Sequence, residues 1–174
     1  AQNGGEIARR AGRRIEVAAV AVRDVAKARA LVGPDVTVTT DGMALARDPD
    51  IDIIVELMGG DTVARDCIRE AIARGKHVVT ANKALLAMHG NEIFAAAQER
   101  GVMVAFEAAV AGGIPIIKAI REGLTANRIQ WLAGIINGTT NFILSEMRLR
   151  GLPFETVLAE AQRLGYAEAD PTFD

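Results

Sequence analysis

An α/β architecture, a parallel sheet with helices packed on it, is expected for this 174-residue chain. Three observations predict it. From Ile15 to Phe106, short apolar or β-branched runs alternate four or five times with segments whose apolar residues return at helical spacing. The connections are short, which implies right-handed parallel crossovers. One run, Val78-Val79-Thr80, carries no charge and so reads as an interior strand covered on both faces.

Taken in order, Ala1 to Gly12 resembles the tail of an amphipathic helix, and with no initiator Met the chain is expected to be a piece of a longer protein. Ile15 to Val22 predicts a strand, followed at once by Arg23-Asp24 and a helix through about Leu31. Val36 to Thr40 is a shorter strand and Gly42 to Arg47 a short helix. Ile51 to Leu57 is the next strand, running into Met58-Gly59-Gly60. Asp61 can cap a helix from Thr62 to Arg74, with Val63, Cys67, Ile68, Ala71 and Ile72 as its apolar stripe. Lys76 to Thr80 is a strand, Asn82 can cap a helix opening at Lys83, Asn91 to Arg100 is helical, and Val102 to Phe106 is a further strand.

After Phe106 the character changes. Glu107 to Pro115 is rich in small residues, Ile116 to Leu124 reads as a helix, and Arg128 to Ile136 as a strand of a second layer. Asn137 to Asn141 is a turn before a helix from Phe142 to Arg150. Pro153 starts another, with Phe154, Val157, Leu158, Ala161 and Leu164 on one face and Gly165 as its C-cap.

A doubly wound, Rossmann-like nucleotide-binding fold is the leading form of such a sheet. The first strand and the Gly-x-Gly-x-x-Gly run that would cradle a pyrophosphate are missing from this chain, so Ile15 to Val22 takes the part of the second strand. At its carboxyl end an acid selects a free ribose 2′-hydroxyl and an Arg accommodates a 2′-phosphate. Arg23 and Asp24 stand there together, which leaves NAD and NADP open with a lean to NADP. The expected division is a nucleotide-binding part, residues 1–112, and the start of an α+β catalytic and dimerisation domain, residues 113–174.

Composition narrows the function. Half the residues are hydrophobic and the formal charge is -2, which gives no electrostatic footprint for nucleic acid. No apolar run reaches membrane-spanning length, and the single cysteine, Cys67, excludes a disulfide framework and fits a reducing cytoplasm. His77 and His89 lack partners at metal-ligand spacing. In open parallel sheets ligands sit outside the carboxyl ends of the strands, so Asn82 and Lys83 stand at the crevice, with the helix N-terminus adding partial positive charge beside the ammonium. Glu107, with backbone carbonyls turned inward around it, suits a hard cation, although a plain interdomain turn is the commoner meaning of Gly-Gly-x-Pro. Asn137-Gly138-Thr139-Thr140-Asn141 is a donor-rich cradle for a carboxylate or carboxamide, or else a turn with a helix cap. Glu168, Asp170 and Asp174 crowd three acids into one short loop.

Four stretches together resemble the homoserine dehydrogenase family, in that family's order. They are Val-Thr-Ala-Asn-Lys83-Ala-Leu, Glu107-Ala-Ala-Val-x-Gly-Gly-Ile-Pro, Asn137-Gly-Thr-Thr-Asn-Phe-Ile-Leu and Leu164-Gly-Tyr-Ala-Glu168-Ala-Asp-Pro. The resemblance implies reversible NAD(P)-dependent reduction of L-aspartate 4-semialdehyde to L-homoserine, in the route to threonine, methionine and isoleucine. It implies Lys83 as the catalytic residue here. Glu168, Asp174, Gly138, Thr139, Thr140, Gly165 and Tyr166 are implied for substrate. Arg23, Met58, Gly59, Gly60, Thr80, Asn82 and Lys83 are implied for NADP or NAD. Glu107, Val110 and Gly112 are implied for a monovalent cation, sodium or potassium. A homodimer or homotetramer is also implied. The family's later Asp and Lys would lie past Asp174, so the piece itself is expected to be inactive. Another amino-acid-pathway reductase, or a non-catalytic nucleotide-binding or dimerising fragment, are the alternatives.

Overall fold

The strands form in short apolar runs, β-branched in the two longest, Ile53–Glu56 and His77–Thr80. In the computed structural model, which describes residues 3–134 and 137–167, the chain divides into two units, Ala1–Leu124 and Thr125–Asp174. The first unit opens with α1 (Gly4–Ala11), β1 (Ala19–Ala21), α2 (Val25–Leu31), β2 (Thr37–Thr39) and α3 (Gly42–Arg47). It continues with β3 (Ile53–Glu56), α4 (Val63–Ala73), β4 (His77–Thr80), α5 (Lys83–Arg100) and β5 (Val104–Ala105). A 3-10 turn at Glu107–Ala109 leads to α6 (Ile116–Lys118), which widens into a π turn over Ala119–Gly123.

All strand pairs are parallel. β1 pairs with β2 in one sheet, and β3, β4 and β5 form another with β4 in the middle. The neighbour orders β2-β1 and β3-β4-β5 are the two flanks of the doubly wound order 3-2-1-4-5-6 with its first strand left out. Among the described residues one edge of β1 and one edge of β3 therefore carry no ladder partner.

The register puts Ile54, Val78 and Val104 side by side on one face, and α4 and α5 cover it with Ile68, Ile72, Leu85 and Ile93. Those four side chains are essentially fully buried. Each contributes roughly 1.5–3 kcal/mol relative to an exposed side chain, so this face supplies most of the packing that holds the β4 end in place. The expected cover on both faces holds only in part: Val55 and His77, on the opposite face, are exposed.

Several expected boundaries contract. The strand expected from Ile15 begins only at Ala19, because Ile15 and Val17 find no partner and remain 56% and 61% exposed. The strands expected over Ile51–Leu57 and Val102–Phe106 shorten in the same way. Asp61 does not cap α4: Thr62 holds the N-cap position, and the Asp61 carboxylate accepts from the Thr62 hydroxyl instead. Val63, 65% exposed, drops out of the apolar stripe and Ala64 takes its place. α5 is one continuous helix from Lys83. Gly90 does not interrupt it, because a Cβ there would meet the Phe94 ring at 3.4 Å and the position serves close packing.

The second unit holds α7 (Gly138–Arg150) and α8 (Phe154–Leu164), joined through Gly151 at φ 65. Their core is Ile143, Val157 and Ala161 with Ala167, and Phe142, Met147 and Leu158 pack on it. Phe154 and Leu164, expected on the buried face, are 47% and 43% exposed. The strand expected over Arg128–Ile136 is not formed at residues 128–134, which join no ladder among the described residues, and Ile135 and Ile136 lie outside them. The helix expected to open at Phe142 begins at Gly138, so the 137–141 turn is an N-cap and first helical turn.

Candidate functional site

The crevice at the carboxyl end of β4 is built by short polar groups answering one another. Asn82 sits at the N-cap of α5, its Oδ1 accepting from the Leu85 amide at 3.0 Å, as the Asn-Lys spacing led us to expect. Its Nδ2 reaches across to donate to the Gly60 carbonyl at 2.6 Å. Asn82 is buried, whereas Lys83, the next residue, is exposed at the helix N-terminus. An ammonium at the positive end of a helix gains nothing from the helix dipole.

Sequence reasoning missed the residue beneath this crevice. Glu56, at the end of β3, is only 2% exposed, and its partner in register is Thr80. Its Oε2 accepts from the Thr80 hydroxyl at 2.7 Å, and its Oε1 accepts from the amides of Met58 at 2.7 Å and Gly59 at 3.2 Å. The Thr80 hydroxyl in turn accepts from the Asn82 amide at 3.0 Å. The signal was available: a carboxylate closing the apolar run Ile53-Ile54-Val55 before two glycines needs amide donors to be buried.

Gly59 and Gly60 both adopt positive φ, 74 and 73, and a Cβ built on either would touch nothing within 4 Å. Their backbone thus stands open beside the strand ends, which is the surface a flat cofactor needs for close approach. Thr80, Asn82, Lys83 and Met58-Gly59-Gly60, predicted separately, are brought together here. At the other sheet, Arg23 is exposed just past β1, while the Asp24 carboxylate accepts from the Lys27 amide at 2.9 Å as the N-cap of α2. Cys67 is buried, and that burial, reinforced by Asp66, Asp41 and Glu56, raises its thiol above the ordinary range, so it is an inert core residue.

Glu107 is half-buried and caps the next helical turn: its carboxylate accepts from the amides of Ile117 at 2.9 Å and Lys118 at 3.2 Å. Ala111 and Gly112 form a left-handed pair at φ 56 and 61, and the carbonyls of Val110 and Gly112 accept no backbone hydrogen bond among the described residues. A carboxylate and backbone carbonyls are the oxygen donors a hard cation takes. No cluster of three or more His, Cys, Asp or Glu able to hold a metal occurs among the described residues.

In the second unit, Asn137 Oδ1 accepts from the Thr140 amide at 2.7 Å, and the Thr139 hydroxyl donates to the Tyr166 carbonyl. Gly165 is the left-handed C-cap of α8 at φ 77, and the Tyr166 ring meets Phe142 edge-on at 5.0 Å. The loop at Gly138–Thr140 and the segment at Gly165–Tyr166 are therefore tied to each other. Glu168 and Asp174 lie outside the described residues. No described helix is long and apolar enough to cross a membrane.

Two family models match consecutive parts of the chain, and the second begins within the first structural unit. Residues 4–107 match the family model for the homoserine dehydrogenase NAD-binding domain, and residues 115–174 match the model for homoserine dehydrogenase itself. A homoserine dehydrogenase of Pseudomonas aeruginosa is 66% identical over 174 residues, 99% of this chain and 39% of that protein. The crystal structure of a homoserine dehydrogenase from Thiobacillus denitrificans superposes with a TM-score of 0.92 at 68% identity, covering 99% of this chain and 40% of that one. A hyperthermophilic archaeal homoserine dehydrogenase in complex with NADPH aligns at 26% identity and a TM-score of 0.72, over 99% of this chain and 49% of that one.

Proposed function

The chain belongs to the homoserine dehydrogenase family, and from that premise we propose that the whole protein reversibly reduces L-aspartate 4-semialdehyde to L-homoserine. The chain spans about 39% of the length of the Pseudomonas aeruginosa relative. The observation that carries the reading is the exposed Lys83 ammonium, set at the carboxyl end of the central strand beside the open Gly59-Gly60 backbone.

Bound nicotinamide coenzyme supplies the hydride. Reduction of an aldehyde leaves negative charge on its oxygen, and Lys83 is the group here that holds that oxygen and moves a proton to it. Met58, Gly59, Gly60, Thr80 and Asn82 form the coenzyme's wall at the strand ends. Arg23 takes the ribose end. NADP is the preferred coenzyme, because one carboxylate oxygen of Asp24 is committed to the α2 cap while Arg23 remains available for a 2′-phosphate.

Gly138, Thr139, Thr140, Gly165 and Tyr166 border the substrate, with Glu168 holding its amino group and Asp174 adding a further acid. Glu107, Val110 and Gly112 would hold a sodium or potassium ion. We place the junction between the parts at 112/113, in the interval between the two family matches. The protein works in the cytoplasm, in threonine, methionine and isoleucine synthesis, as a homodimer or homotetramer.

The test is homoserine oxidation by the full-length protein, followed through reduced coenzyme absorbance. Lys83→Ala is expected to lower kcat on the order of a hundredfold with homoserine KM little changed. No turnover of homoserine by the unaltered enzyme would reject the activity, and near-normal turnover by the variant would reject the role of Lys83.

A further inference from the structure

The geometry points to Glu56 as a positioning residue: one buried carboxylate sets both the Met58–Gly60 loop and the start of the Lys83 helix, so coenzyme binding and lysine placement depend on it together. This rests on the functional reading above and adds a residue to it. Glu56 makes no ion pair among the described residues, yet it is withdrawn from water. Its hydration is replaced by three donors, the Met58 and Gly59 amides and the Thr80 hydroxyl. Two of these belong to the loop and the third to the strand end beside Lys83.

The direction of these bonds is what a carboxylate enforces. An ionised carboxylate only accepts, so the Thr80 hydroxyl must donate to it and keeps a lone pair for the Asn82 amide. Asn82, fixed by that bond, closes the circuit by donating to the Gly60 carbonyl and accepting from Leu85. Loop and helix start are thereby one hydrogen-bonded unit with Glu56 at its base. A Gln at this position keeps the shape and accepts the loop amides, but its NH2 then faces a hydroxyl already accepting from Asn82, which leaves that hydroxyl's proton without its acceptor.

The experiment uses the full-length enzyme with Glu56→Gln, Thr80→Val, the double variant and Thr80→Ser. We measure NADPH affinity by fluorescence titration, kcat and KM for homoserine, and cooperative unfolding for each. Glu56→Gln and Thr80→Val are each expected to weaken NADPH binding and lower kcat on the order of tenfold, with homoserine KM within about threefold. The double variant should be no worse than the poorer single one, since both open the same circuit. Thr80→Ser should recover most of what Thr80→Val loses. Parental NADPH affinity and kcat in folded Glu56→Gln overturn the proposal. If that variant does not fold, parental values in folded Thr80→Val overturn it instead. An unaltered enzyme that binds NADPH but does not turn over homoserine refutes the substrate assignment alone, and NADPH titration of the same variants still decides the role of Glu56.

Discussion

Replacing Lys76 by Met is expected to unfasten β4 from the segment that leads into β3. Lys76 is 4% exposed, and its ammonium donates to the backbone carbonyls of Asp48 and Ile51, some two dozen residues back along the chain. A hydrogen bond to a charged group contributes about 1.5–3 kcal/mol. Losing two of them is offset by no longer withdrawing an ammonium from water and by the apolar fit of the Met stem. The net expectation is a destabilisation of about 2–4 kcal/mol. For a protein of this size that lowers Tm by about 6–12 °C. Thermal unfolding of Lys76→Met against the parent, followed by circular dichroism, measures it. A Tm within about 2 °C of the parent, or above it, would show that the two carbonyls need no ammonium and would refute the reasoning.

Two further outcomes test neighbouring parts of the fold. Asn82→Ala removes the α5 cap and the bond to Gly60, and should destabilise by about 1–2 kcal/mol in chemical denaturation while weakening coenzyme affinity; unchanged affinity would detach the loop from the helix start. Glu70 bonds to Arg74 and to Arg47, and these bonds hold its carboxyl below the usual 4.5. A folded-state value below the unfolded one contributes stability that is complete above about 4.5 and is lost as pH falls through the lowered value. The Tm difference between the parent and Glu70→Gln should therefore be small at pH 7, shrink further below pH 4, and fade in high salt, because the pair is at the surface. A difference that grows in acid would contradict this.

What could be read from the residues in advance was local. The Asn82 cap, the Gly165 and Gly12 helix ends, and the Gly42–Arg47 helix depend on neighbours within a few positions, and they form where expected. The crevice residues were legible for the same reason, since a strand end followed by Ala-Asn-Lys fixes its own geometry. Elements that need a distant partner were not. The 128–134 run has strand composition, but Trp131 and Leu132 are 79% and 73% exposed, and a strand exists only where another pairs with it. Glu56 and Lys76 were passed over because charge ordinarily signals a solvated position. Both are held instead by backbone groups that no periodicity reveals.

The edge of β3 that has no ladder partner among the described residues has a practical corollary. A row of backbone donors and acceptors flanked by exposed Ile53 and Val55 is a template on which any apolar extended segment can crystallise, including the same edge of another molecule. Expressed as this stretch alone, the chain is expected to lose material to precipitation in proportion to its concentration. Lysine at Val55 would blunt that growth without touching the face that carries Glu56 and Thr80.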